Sequence, residues 1–439
     1  MPHAEAMKSN QAGGAAGAAP RRLLAVSFCY PPMASPRAVQ VSRLLKHLPL
    51  STVLVCADYA GKDRSDASLV AAAEAPLAAC LRVPFARSGL GSLFSRIGHR
   101  FDLPLVNKLP DSYRAWKPAA LAAYERFARQ NAYAPDVLAT FGSPMSDHLV
   151  GLALKRRLGV PWVAHFSDPW ADNRFLGYDA LARRLNRRLE ARVVREADCL
   201  VFTSTETVEL MMGKHPPALR SKARVLPHAY DPGAFDGQAA GGGAAPGIVI
   251  RYLGNFYGPR TPGPLFRGLR RLLDAEPEVL SGVRFELIGT KGEGQLEAAG
   301  IGLLPEGLVV SRPTVKYLES LRLMSSADGL LVADAPAEVS VFLPSKLIDY
   351  VGAARPILAL SPRGAAAALV RRLGGWVADP SDDAAVAAEL KSFVNFLRGR
   401  KSDAAPWGDA DVRRSLAAPA VAAAFERMLR ELPAARSEV

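Results

Sequence analysis

FLPSKLIDYVGAARPILALSPRG, residues Phe342 to Gly364, reads as a loop, a short helix, a tight turn and a buried strand. Pro344 suits the first turn of a helix, because its missing N–H would have no partner there anyway. The amides just after it, at Ser345 and Lys346, then point forward, unpaired and partly positive, toward any bound anion. Lys346 adds a full charge at that place, and Asp349, one turn on, falls on nearly the same helix face. Arg355-Pro356 ends the helix, and Ile357-Leu358-Ala359-Leu360 is apolar enough for a central parallel strand. A helix N-terminus with a lysine and a following carboxylate is what a phosphate-plus-ribose ligand requires. An ordinary helix of an α/β domain is the other reading.

Outward from this stretch the same strand-to-loop step recurs. Leu23 to Phe28 is a short apolar run that breaks at Tyr30-Pro31-Pro32; a helix opens at Ala34-Ser35-Pro36-Arg37, and Ser51 to Ala57 is the next strand. Strand, loop, helix, strand is one unit of a doubly wound sheet, with ligands expected in the loop at the strand's carboxyl end. Small residues stand where a phosphate loop usually carries glycines, so a dinucleotide fingerprint is absent. Asp136 to Thr140 leads into Phe141-Gly142-Ser143-Pro144, and Val160 to Phe166 leads into Ser167-Asp168-Pro169-Trp170. His165 and Asp168 form the best polar cluster of the first half; a satisfied core histidine and a turn-capping aspartate are the plain alternatives. After Gln238 to Gly247, a flexible linker by composition, a second series follows. Its strands exit at Gly254-Asn255-Phe256-Tyr257 with Arg260, at Gly289-Thr290-Lys291-Gly292 and at Arg312-Pro313-Thr314.

The expected organisation is a disordered tail over 1–20, a first Rossmann-like domain over 21–237, the linker at 238–247 and a second Rossmann-like domain over 248–410. A final helical segment over 411–439 crosses back to the first domain. At 439 residues with 49% hydrophobic content the chain can bury two cores. It contains no apolar run of the roughly 18 residues that a membrane span needs, and the N-terminus lacks the apolar core of a secretory signal. The four cysteines are scattered without metal-ligand spacing, which points to a reduced, cytoplasmic compartment. Residues 1–240 hold 31 Lys and Arg against 20 Asp and Glu, whereas the remainder holds 24 against 22. That basic first half suggests an anionic partner. Two segments concentrate it, Arg82 to Lys117 and Asp179 to Ala197. Each reads either as a basic amphipathic surface resting on the inner face of a membrane or as a solvated face.

Two doubly wound domains leave a cleft between facing sheet edges, where Arg260 and Lys346 would aim two cations at one diphosphate. The chain contains no Walker loop, CxxC pair, HExxH or Gly-x-Ser-x-Gly elbow. Asp409-Ala410-Asp411 matches the acid-x-acid pattern of metal-dependent sugar transferases, but helix capping explains it more simply. No catalytic metal and no cofactor are expected.

These segments together resemble the glycosyltransferase family 4 pattern. Phe342 to Pro356 is similar to its Pro-Ser-Lys-Leu-Phe-Glu-Tyr signature, and four further motifs follow in order: Tyr30-Pro31-Pro32, Ser167 to Trp170, Gly254 to Arg260 and Arg312 to Thr314. The resemblance runs from about Arg22 to Ala434. It implies a GT-B fold and a retaining, metal-independent hexosyltransferase that moves a sugar from a nucleotide diphosphate-sugar to a polysaccharide, lipopolysaccharide or lipid-linked acceptor. The C-terminal domain would hold the donor through Gly254, Asn255, Arg260, Lys291, Thr314, Ser345, Lys346 and Asp349, with Asp349 on the ribose. The acceptor side would be Pro32, Ser35, Arg37 and Ser143, and Asp168 with His165 would serve catalysis. Nucleic acid is not an expected partner. The sequence departs from the pattern at Val341, where the first of two glutamates is usual, and at Asp349, a shortened version of the second; Glu338 stands nearby. A sugar-nucleotide epimerase and a catalytically silent binder of sugar nucleotides or polyanions are the alternatives.

Overall fold

The computed structural model describes residues 22–60, 65–72, 75–85, 108–237, 247–289, 293–400 and 405–433. The N-terminal tail, the linker apart from Gly247, Lys291 and most of the basic Arg82–Lys117 segment lie outside these residues.

The first sheet contains β1 (Arg22–Val26), β2 (Ser51–Asp58), β3 (Leu77–Pro84), β4 (Val137–Gly142), β5 (Trp162–Phe166), β6 (Cys199–Phe202) and β7 (Ala223–Val225). Its order is β3-β2-β1-β4-β5-β6-β7, and every pairing is parallel. A strand covered on both faces must be apolar throughout, and Leu23, Leu24, Ala25 and Val26 of β1 are all 0% exposed. Leu24 and Val26 face one core, while Leu23 and Ala25 face the other.

The second sheet contains β8 (Ile248–Leu253), β9 (Val283–Ile288), β10 (Val309–Arg312), β11 (Gly329–Ala333), β13 (Ile357–Leu360) and β15 (Trp376–Ala378), in the order β10-β9-β8-β11-β13-β15. Two short strands, β12 (Val339–Ser340) and β14 (Arg363–Gly364), pair with each other outside it. Each main sheet reverses its strand order once, between β1 and β4 in the first and between β8 and β11 in the second. At such a switch point adjacent crossovers diverge to opposite faces and open a crevice at the carboxyl ends of the strands. The two crevices face each other.

The expected final helix is two helices, Ala410–Ser415 and Ala418–Arg430. Pro419, in the first turn of the second, cannot continue the first. Around this break the backbone of Tyr230 pairs with Leu416 and Ala418. Val421, Ala422, Phe425 and Leu429 then pack on the Leu23 and Ala25 face of the first sheet, with Phe425 and Phe141 rings 6.2 Å apart. The chain thus ends on the domain in which it began. Asp409 caps the first of these helices, its carboxylate accepting from Asp411 and Val412, so the acid-x-acid triplet has a structural role.

Candidate active site

The Ser345–Ala353 helix follows β11 and the β12 loop, so its N-terminus lies at the switch point of the second sheet. Tyr350 is fully buried and its hydroxyl accepts from the Leu253 amide at 2.9 Å, tying the helix to the end of β8. A cleft of about 790 Å³ separates the domains there. From the second domain it is lined by Gly254, Asn255, Arg260, Thr314, Ser345, Lys346 and Asp349; from the first, by Ser35, Arg37, Ser143 and Asp168.

Lys346 dominates the electrostatics. Its stem is half-exposed, but its ammonium is inaccessible and has no hydrogen-bond partner among the described residues. It stands 3.8 Å from the Tyr252 ring centroid. Burial, with the neighbouring Arg260 charge, holds the Lys346 ammonium well below the ordinary lysine pKa. Gly254 makes this placement possible. It has φ 126°, and a Cβ there would stand 2.7 Å from Lys346 Nζ.

Arg260 is 5% exposed and is held from behind. It donates to Asp334 Oδ1 at 3.0 Å and to the Tyr257 hydroxyl at 3.0 Å, while its Nε has no partner among the described residues. Asp334 is the buried residue following β11; it also accepts from the Ala335 amide and the Ser340 hydroxyl. Arg260 therefore keeps a free donor, with its charge partly offset.

Asp349 is shared between domains. Arg43, on the Pro36–Lys46 helix, donates to Asp349 Oδ1 at 2.7 Å, and Tyr317 donates to the same oxygen at 3.1 Å. Arg43 also donates to the Tyr317 hydroxyl and to the Ala229 carbonyl. Asp349 Oδ2 has no partner among the described residues and is left for the cleft. The ribose position expected from sequence is thus half occupied by the opposite domain.

Asp168 sits in the first domain's wall. Its Oδ2 accepts from Ser167 at 2.8 Å, and burial raises its carboxyl pKa against the lowering pull of Ser167, Arg37 and Arg260. It therefore stands within the fields of a cation on each wall.

Two expected site residues among the described ones, His165 and Pro32, are not on the cleft. His165 is 4% exposed and lies behind Arg37, accepting from its guanidinium through Nδ1 at 3.1 Å. Burial, with Arg37 beside it, pushes the ring well below the ordinary histidine pKa. There it accepts from Arg37 as a neutral ring within the sheet, whereas Asp168 has left β5 for the loop that lines the cleft. Pro32 is buried and its carbonyl accepts from the Asp66 amide. Lys291 lies outside the described residues. Glu338 does not replace the missing glutamate: it is exposed, 3.8 Å from Arg363. Val341 presents its carbonyl to the Ser204 and Thr207 hydroxyls of the first domain.

Sequence reasoning missed Asp334, Arg43, Tyr252 and Tyr317. Asp334 carried a signal, being a carboxylate just past a parallel strand's carboxyl end. Arg43 carried none, because its partner lies 306 positions away.

Among the described residues no group of three His, Cys, Asp or Glu side chains could hold a metal ion. Among the same residues no helix is long and apolar enough to cross a membrane.

Two doubly wound domains facing across a cleft, closed by a returning C-terminal helix, define a GT-B fold. Residues 34–228 match the family model of a glycosyl transferase 4-like domain. Anabaena Alr3699/HepE in complex with UDP-glucose is similar over 94% of this chain and 100% of its own, with a TM-score of 0.59 and 13% identity. The lipopolysaccharide outer core galactosyltransferase WaaB, in its apo form, covers 93% of this chain and 99% of its own, with a TM-score of 0.58 and 12% identity. The N-terminal domain of Candida albicans trehalose-6-phosphate phosphatase covers 95% and 98%, with a TM-score of 0.63 and 14% identity. No curated protein matches the sequence at a significant level.

Proposed function

We propose that this cleft transfers a hexosyl group, with retention, from a nucleoside diphosphate-sugar to a hydroxyl of a polysaccharide, lipopolysaccharide or lipid-linked acceptor. The observation that carries the reading is Lys346: a buried ammonium with no counter-ion among the described residues, beside a helix N-terminus and near Arg260, at the crevice of the second sheet. An unpaired buried charge is costly, and an incoming diphosphate supplies the missing partner. UDP is the first nucleotide to test, because a protein of similar fold has been seen with UDP-glucose.

In the reaction the bond between the sugar's anomeric carbon and the diphosphate oxygen breaks, and a bond from that carbon to the acceptor oxygen forms. Negative charge builds on the leaving diphosphate. Lys346, the Arg260 Nε and the Ser345 amide are placed to stabilise it. The acceptor's proton passes to an oxygen of the departing phosphate. Asp168, in the first domain's wall, orients the acceptor hydroxyl as a hydrogen-bond acceptor. Asp349 Oδ2, its partner oxygen held by Arg43 and Tyr317, takes a ribose hydroxyl. The basic first domain brings the protein to the acidic inner face of a membrane, where lipid-linked acceptors reside.

A thermal-shift panel of nucleoside diphosphates and their sugars, followed by transfer assays with lipid extracts, tests the reading. A stabilising nucleotide and released nucleoside diphosphate are expected. Binding without transfer or hydrolysis would favour the silent binder, for which Val341 is the motivating residue. Interconversion of the free nucleotide-sugar would favour the epimerase.

A further inference from the structure

The opposite wall of the cleft carries a second group of unpartnered donors. The 11-residue Pro36–Lys46 helix points its N-terminus into it, with Ser35, Pro36 and Arg37 all lining the cavity. Ser35 caps the helix, its side chain accepting from Ala38, and Pro36 has no N–H to offer. The Arg37 amide is left without a partner among the described residues.

The Arg37 side chain supplies an independent sign. It is 7% exposed, yet no carboxylate among the described residues lies within ion-pair distance of it. Its Nη2 donates to the ring Nδ1 and the carbonyl of His165, at 3.1 and 3.2 Å, and its Nη1 reaches Gln40 at 3.4 Å. Its Nε has no partner among the described residues. The guanidinium lies over the Phe141 ring, 5.6 Å from its centroid. Burial lowers the group to about 10, so it remains a cation at neutral pH. Asp147, another carboxyl that bears on it, is itself buried and raised well above the usual carboxylate range. Neutral acceptors thus orient the guanidinium and leave its charge unneutralised.

We propose that Arg37 and the N-terminus of its helix bind an oxyanion, a phosphate or a carboxylate, carried by the acceptor. The inference rests on the donor reading above. Asp168 lines the same cleft as both cation groups, and its carboxyl lies in the fields of Arg37 and Arg260. One continuous diphosphate laid across both walls would pass a carboxyl group, whereas two anions on two substrates leave that group facing the hydroxyl between them. The acceptor class is accordingly an anionic saccharide or phospholipid-linked sugar rather than a neutral glycan.

The test is titration calorimetry on the full chain with inorganic phosphate, after saturation with UDP. Phosphate should still bind. Arg37→Met should weaken it at least tenfold while leaving the Kd for UDP within twofold. Separate titrations of the UDP complex with glucose 6-phosphate, glucuronate and glucose identify the oxyanion, with one of the first two expected to bind at least tenfold tighter than glucose. If the UDP complex takes up neither phosphate nor glucuronate, or if Arg37→Met weakens UDP instead, the proposal is overturned and Arg37 belongs to the donor. If UDP does not bind but phosphate binds through Arg37, the donor reading fails and the anion site stands. Should Arg37→Met not fold, Arg37→Gln provides the same comparison.

Discussion

Lys346 makes the site's clearest statement about what it lacks. Removing an unpaired buried charge relieves a cost of about 1–3 kcal/mol. Lys346→Met is therefore expected to hold or raise the ligand-free Tm while weakening nucleoside diphosphate binding about 100-fold; a lower Tm with binding intact would contradict the role. The pH dependence has a definite sign. With the folded-state pKa below the unfolded value, the unfolded chain binds more protons, so this residue's contribution to ligand-free stability grows as pH rises through that interval. A bound diphosphate raises the ammonium pKa again. Between the free and bound values, binding should take up a proton, measurable by calorimetry in buffers of different ionisation enthalpy. Uptake that persists unchanged in Lys346→Met would assign the proton elsewhere. At the neighbouring Asp168, Asp168→Asn should lower kcat by about 10²-fold or more with little change in donor affinity. A loss confined to donor Kd would remove it from the chemistry.

Two helices carry the site, and they were legible to different degrees. The Ser345–Ala353 helix could be placed from Pro344, Lys346 and the Arg355-Pro356 stop, because its signals are local. The Pro36–Lys46 helix could be placed from the Ala34-Ser35-Pro36-Arg37 opening, but its link to the other domain could not. Arg43 and Asp349 form an ion pair with both side chains under 10% exposed, and such a pair is readable only once the fold has brought the helices together. His165 shows a related limit: its position beside the Asp168 loop was evident, while its contact with the Arg37 guanidinium, 128 positions away in sequence, was not. Breaking one partner of a buried ion pair costs about 3–5 kcal/mol. Arg43→Met and Asp349→Leu should each destabilise by that order, with the double variant much less than additive by denaturant unfolding. Additive losses would show that the two helices are not coupled through this contact.

The architecture of the whole molecule was the most legible level. Runs such as Leu23 to Val26 and Ile357 to Leu360 are apolar on both faces, which only a doubly covered parallel strand explains. Alternation of such runs with helices then leaves few topologies. The face-to-face arrangement was expected across a cleft and is held by contacts the sequence hides, among them the Ser204 and Thr207 hydrogen bonds to Val341. Charge is the other whole-molecule property. The Ala180–Glu196 helix exposes Arg183, Arg184, Arg187, Arg188, Arg192 and Arg195, of which Arg187 is paired with Asp172. Vesicles containing anionic lipid should bind the protein at low ionic strength and release it at about 0.5 M salt, given the short screening length there. No flotation at low salt would remove the membrane from the account.

The most direct test of the central claim is nucleoside diphosphate release from UDP-hexoses supplied with a lipid extract, comparing the wild-type chain with Lys346→Ala. The expected result is release by the wild type and a loss of about 100-fold or more in the variant. Equal rates in the two proteins, or a folded wild type that neither binds nor turns over any nucleoside diphosphate-sugar, would contradict it.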